Sequence, residues 1–71
     1  MARFYFHLVG TGETTDHEGQ EMPSLSLAVS AAASDLQRFA ELELERGIRP
    51  TILRIDIADE TGRVVESVHH G

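Results

Sequence analysis

The stretch PSLSLAVSAAASDLQRFAELELERGIRP, residues 23–50, decides the fold. Projected at about 100° per residue, it puts Leu25, Ala28, Val29, Ala32, Leu36, Phe39 and Ala40 on one stripe. Ser30, Ser34, Gln37, Arg38, Glu41 and Glu45 fall opposite. A helix with one such stripe covers one face of a sheet. Pro23 followed by Ser24 suits helix entry, because the serine oxygen accepts from a free amide of the first turn. Gly47 suits a left-handed C-terminal cap after Arg46, and Pro50 bars continuation. The pattern predicts a helix from Leu25 to Arg46, near six turns. Small residues at 28, 32 and 40 let it sit close to the sheet, and Leu36 and Phe39 fill the space between it and Phe4 and Phe6.

On either side of this helix the period changes to two. Arg3 to Val9 reads as a strand with Phe4, Phe6 and Leu8 on one face and Tyr5 and His7 on the other. Gly10 and Gly12 end it, and a short second strand around Thr14 to Asp16 is expected to pair back on the first. Gly19 marks a turn in the polar stretch Glu13 to Glu21. Ile52 to Asp59 alternates again, with Leu53, Ile55 and Ile57 on one face and Arg54 and Asp56 on the other. Asp59-Glu60-Thr61-Gly62 is a turn, with glycine suited to a type I turn plus bulge, and Arg63 to Val68 returns as the last strand. The fold class is therefore α+β: a two-layer β-(β)-α-β-β arrangement in which a small, mostly antiparallel sheet carries one long helix on a single face. Residues 1–71 form one domain, with no internal repeat or linker.

Twelve acidic residues face six arginines and no lysine, for a net charge of -6. Binding to a phosphate backbone needs clustered cations, and the arginines at 3, 38, 46, 49, 54 and 63 are scattered, so no nucleic-acid partner is expected. The absence of cysteine excludes disulfides, thiolate chemistry and thiolate zinc sites. Met1-Ala2-Arg3 runs straight into a strand, no leader pattern is present, and no apolar run approaches the roughly 20 residues of a membrane span. A cytoplasmic protein without a membrane partner is the expectation. At this length a single core rarely supplies more than about 3–5 kcal/mol, which makes self-association a natural expectation.

Arg3-Phe4-Tyr5-Phe6-His7, the loop Asp16-His17-Glu18-Gly19-Gln20-Glu21-Met22-Pro23 and the hairpin Asp59-Glu60-Thr61-Gly62-Arg63-Val64-Val65 together resemble an uncharacterised family of very short bacterial proteins, a domain of unknown function. The resemblance covers nearly the whole chain. Met22 and Ser24 stand where the pattern usually has leucine and aspartate, and both exchanges keep the chemistry of an apolar anchor and an N-cap. The resemblance implies a fold and a length, and carries no catalytic residue over. The chain is also similar in architecture alone to ribonuclease-H-like antitoxin domains, which implies an antitoxin-like, partner-binding alternative.

Three constellations carry candidate chemistry. Glu13, Asp16, Glu18 and Glu21 crowd with His17 into nine residues, but aligning Gly19 with the glycine of an EF-hand loop puts Thr14 at the first ligand position and Leu25 at the twelfth. The EF-hand reading fails, and the plainer one has Asp16 or Glu18 capping the turn at Gly19. A metal site remains an alternative if the last strand runs beside this loop, with Asp16, His17, Glu18 and one of His69 and His70 as ligands; His69 is the candidate, since neighbours on a strand point to opposite faces. Tyr5 and His7, with Arg54 from the later strand, lie on the sheet face predicted to point away from the helix and are the candidate binding surface. No nucleophile is set by a recognisable motif and no glycine loop cradles a phosphate, so neither an enzyme nor a cofactor is expected.

The helical stripe also leaves apolar residues over. Leu27, Leu42 and Leu44 fall away from its centre, and Ile48, Ile52 and Val65 are hard to hide beneath one helix. Either the helix end tucks Leu42 and Leu44 inward, or these residues meet a partner. The resulting expectation is a small acidic, non-enzymatic interaction or regulatory module. It binds a second copy of itself, as a homodimer, or another protein, through the open sheet face or a strand edge.

Overall fold

A computed structural model of the chain describes residues 2–69. The elements run β1 (Ala2–Gly10), β2 (Glu13–Thr14), β3 (Gln20–Met22), α1 (Leu25–Glu45), β4 (Ile52–Ala58) and β5 (Val64–His69). Every pairing is antiparallel, in the order β2-β1-β4-β5, and β3 pairs with β1 on the side away from β4. The architecture is α+β, with the one helix packed on one face of the sheet, as the two sequence periods dictate.

The helix is defined at both ends by the residues that suit it. Ser24 has extended backbone and its Oγ accepts from the Leu27 amide at 3.2 Å. At the other end Arg46 is the cap residue, and Gly47 takes φ +75°. The Gly47 amide donates to the Leu44 carbonyl at 2.9 Å and the Ile48 amide to the Glu43 carbonyl at 2.8 Å, a Schellman closure that satisfies two orphan carbonyls. Ala28, Ala32, Leu36 and Ala40 form the buried line of α1, and the serines and charges of the opposite face are exposed.

On the sheet side Phe4, Ile55 and Ile57 complete the core, with Ala2, Phe6, Leu8, Ile52 and Val68 packed around it. Each fully buried side chain among these, such as Leu36, Ile55 or Ile57, contributes about 1.5–3 kcal/mol by leaving water.

β4 departs from simple alternation. Val9 faces Arg54 and Gly10 faces Ile52, so Leu53 is an extra residue in a β-bulge. The bulge turns Leu53 out, 50% exposed, and brings Ile52 onto the core face, the reverse of the expected assignment for both residues. A second irregularity, where Ile57 faces Glu66 and Ala58 faces Val64, leaves Val65 as the extra residue of β5. The strand expected near Thr14 to Asp16 is shorter, Glu13–Thr14, and Asp16 lies beyond it. Leu42 and Leu44 are not tucked in; they remain 47% and 60% exposed. Among the described residues, no helix is long and apolar enough to cross a membrane.

Candidate functional site

Between β2 and β3 the border of β1 lacks a strand, and Asp16 fills the gap. The Phe6 amide donates to Asp16 Oδ2 at 3.1 Å, and the Glu18 and Gly19 amides both donate to Oδ1 at 3.1 Å. The carboxylate thus replaces a strand partner on one side and caps a turn on the other. Its own amide donates to His7 Nδ1 at 3.0 Å, which orients the ring. Partial burial raises the Asp16 pKa. The three backbone donors, aided by the nearby His7, outweigh this and hold the carboxyl below its ordinary range. Gly19 takes φ +71°, and a Cβ there would lie 2.8 Å from the Tyr5 ring and 2.9 Å from the Phe4 carbonyl oxygen, so only glycine fits against β1.

Across the open face, His7 stands opposite Asp56, and Asp56 stands opposite Ser67. Ser67 Oγ donates to Asp56 Oδ1 at 2.7 Å. Arg54 lies side-on to the same carboxylate, with Nε 2.8 Å from Oδ1 and a terminal nitrogen donating to Oδ2 at 3.2 Å. Burial raises the Asp56 pKa, but the Ser67 and Arg54 contacts win and keep it low. The serine hydroxyl serves the carboxylate and not the imidazole, so this row holds the Asp56 charge in place.

One end of this face opens into a cleft of about 420 Å³. Tyr5 and His7 of β1 and the fully buried Ala58 of β4 line it, with Asp16 and His17 on one bank and the turn of residues 59–62 on the other. That turn is rigid for local reasons. Asp59 Oδ1 accepts from the Thr61 hydroxyl, from the Thr61 amide at 2.9 Å and from the Arg63 amide at 3.2 Å, while Gly62 takes φ +87°. The Thr61 hydroxyl is the chief cause of the lowered Asp59 pKa, with the two amides and Arg63 adding to it against slight desolvation. Glu60 accepts from the Arg3 amide at 3.3 Å, and the Arg3 guanidinium reaches the Glu18 carbonyl at 2.8 Å and Glu21 at 3.5 Å. The cleft therefore has an aromatic wall, two imidazoles and three carboxylates on a framework that its own hydrogen bonds keep still.

Of the sequence-predicted surface, Tyr5 and His7 line this cleft. Arg54 shares their face but is two strand positions away, opposite Val9, and its charge is committed to Asp56. The predicted metal set is not brought together. Asp16, His17 and Glu18 lie beyond the outer side of β1, whereas His69 sits on β5 opposite Arg54, with β1 and β4 between. Among the described residues, no three His, Asp or Glu side chains are placed to hold a metal ion. His70 lies outside the described residues. Ala58 and the bank formed by residues 59–62 were missed as site residues. The turn signal was visible in the sequence, but its place beside Tyr5 depends on the Tyr5–Ala58 register.

The residues that carry the family resemblance gather here: Tyr5, His7, Asp16, Asp59 and Gly62 line the cleft or hold its banks. No curated protein and no solved structure matches the chain. A family model described as Domain of unknown function (DUF6894) matches residues 3–70, and the chain belongs to that family.

Proposed function

We propose that the protein is a small acidic, non-enzymatic interaction module that docks a basic segment of a partner protein in the open-face cleft. The observation that carries this reading is the cleft itself, where the Tyr5 ring stands between two banks bearing Asp16, Asp59 and Glu60. A guanidinium suits such a place, since it stacks on an aromatic face and pairs with carboxylates. Arg3 is engaged with Glu18 and Glu21, and Arg54 with Asp56. Arg63 at the end of the turn acts on Asp59 through its amide and its charge, and leaves Asp16 and Glu60 to a guest cation. The net charge of -6 favours the encounter.

Tyr5 is the only tyrosine and there is no tryptophan, so intrinsic emission reports on the cleft alone. An acetylated Gly-Arg-Gly amide is expected to change Tyr5 emission saturably, while the same peptide with neutral citrulline leaves it unchanged. Glu60→Gln, which keeps an acceptor for the Arg3 amide, should weaken binding about two- to fivefold, the range of an exposed ion pair. Equal responses to the two peptides, or no response to either, would overturn the reading. In a partner complex, Tyr5→Ala with His7→Ala should abolish association while far-ultraviolet circular dichroism stays native.

A further inference from the structure

The two borders of the sheet are finished differently. Along the outer side of β1, β3 covers Ala2 to Phe4, the Asp16 carboxylate takes the Phe6 amide, and β2 covers Leu8 and Val9. That border therefore ends in two strands of two and three residues, interrupted at the Asp16 turn, too short and broken to template a long partner strand. Along β5, β4 lies on one side and, among the described residues, no strand lies on the other. The outward row of backbone N–H and C=O groups there is a template that another strand satisfies. β5 reads VVESVH, without the proline or lysine that commonly blocks an edge. Its bulge at Val65 leaves Glu66–His69 in regular register with β4.

We infer that the occupant of this edge is β5 of a second copy, running antiparallel about a twofold axis that passes between the two Ser67 residues. Two antiparallel neighbours in one sheet are related only by an axis perpendicular to it, so residues facing each other across the seam must lie on the same side of the sheet. Centring the axis on Glu66 sets two glutamates directly opposite, which repels. Centring it on Val68 pairs only Ser67–His69 within the strand. Centring it on Ser67 pairs residues 65–69, with Glu66 against the partner's Val68 and Val65 against the partner's His69.

The helices agree with this arrangement. Both lie on the same side of the joined sheet, because the axis preserves its faces. Leu42 and Leu44 sit about 100° to either side of the centre of the buried stripe, and both are exposed. Each flank of α1 therefore carries one exposed leucine. Val64 and Val65, 48% and 37% exposed, lie on the same edge. The buried line of α1 is three alanines and one leucine, a thin core for an isolated chain of this length. This surface is separate from the cleft, and the failure of either reading leaves the other standing.

The chain has no cysteine, so single-cysteine variants of the full chain report the register cleanly. Under mild oxidation Ser67→Cys is expected to form a disulfide dimer at least tenfold faster than Glu66→Cys or Val68→Cys, because residue 67 alone faces itself. Sedimentation velocity should show a dimer for the unmodified chain and a monomer for Val65→Lys with native circular dichroism. Glu66→Gln should tighten the dimer, since the two glutamates lie diagonally at roughly 7–8 Å. A monomer at all concentrations up to about 1 mM, a Val65→Lys chain that still dimerises, or fastest cross-linking from position 66 or 68 would each overturn the inference.

Discussion

Replacing Asp16 by alanine removes the acceptor of three backbone amides at once, and their different surroundings set the cost. The Glu18 and Gly19 donors lie near the surface, where water replaces the carboxylate, and together they amount to the loss of one cap, about 1 kcal/mol. The Phe6 donor is part-buried in β1 beneath the loop, and leaving it unpaired costs about 1–2 kcal/mol more. The expected loss is about 2–3 kcal/mol, roughly half the stability of a single domain of this size. With an m-value near 1 kcal/mol/M, the urea midpoint should fall by about 2 M. Asp16→Asn keeps one carbonyl oxygen on the Glu18 and Gly19 amides and should lose about half as much.

The same site predicts a pH dependence. The folded pKa of Asp16 lies below its ordinary value of 3.8, because the backbone donors outweigh desolvation. Its contribution is therefore complete above that ordinary value and disappears as pH falls through the folded one. Urea melts between pH 7 and pH 2, followed by circular dichroism, should show a shallower acid-side loss in Asp16→Ala than in the unmodified chain. A midpoint shift under about 0.5 M at pH 7, or an unchanged acid limb, would refute the view that Asp16 closes this border.

Two glycines with the same backbone hand should respond differently to alanine. Gly47 has φ +75° and open space around it, so Gly47→Ala should cost about 1 kcal/mol from backbone strain alone; Gly19→Ala adds overlap with the Tyr5 ring and the Phe4 carbonyl and should cost more than about 2 kcal/mol, as compared in parallel thermal melts. Glu43 accepts from the Thr51 amide at 3.1 Å and from the Thr51 hydroxyl at 2.8 Å, tying the end of α1 to the start of β4. Glu43→Ala should cost about 1–2 kcal/mol and raise amide exchange at Thr51, whereas Glu41→Ala on the solvent face should change stability by less than about 0.5 kcal/mol.

What the sequence made legible is what its local physics specifies. The helix declares itself through a 3.6-residue stripe closed by Ser24 and Gly47, and both caps form as expected. β1, β4 and the Asp59–Gly62 turn follow from alternation and one positive φ. β3 was not legible, because Gln20-Glu21-Met22 has no apolar alternation and becomes a strand only by lying along β1. Leu53 and Ile52 exchanged faces because a bulge inserts one residue, and a period-two reading cannot see an insertion. Asp16 as a turn cap was readable from Gly19 three residues on. Its reach to Phe6 was not, since that contact exists only once the loop is laid against the strand. His69 was drawn toward the acidic loop by composition, and the strand order placed it on the far border of the sheet.

The docking reading is tested most directly by following amide resonances of the uniformly labelled chain while the arginine peptide is added. Shifts confined to Tyr5, His7, Asp16 and residues 58–62, absent with the citrulline peptide, are the expected result. Shifts spread along the exposed face of α1, or a spectrum indifferent to the peptide's charge, would contradict it.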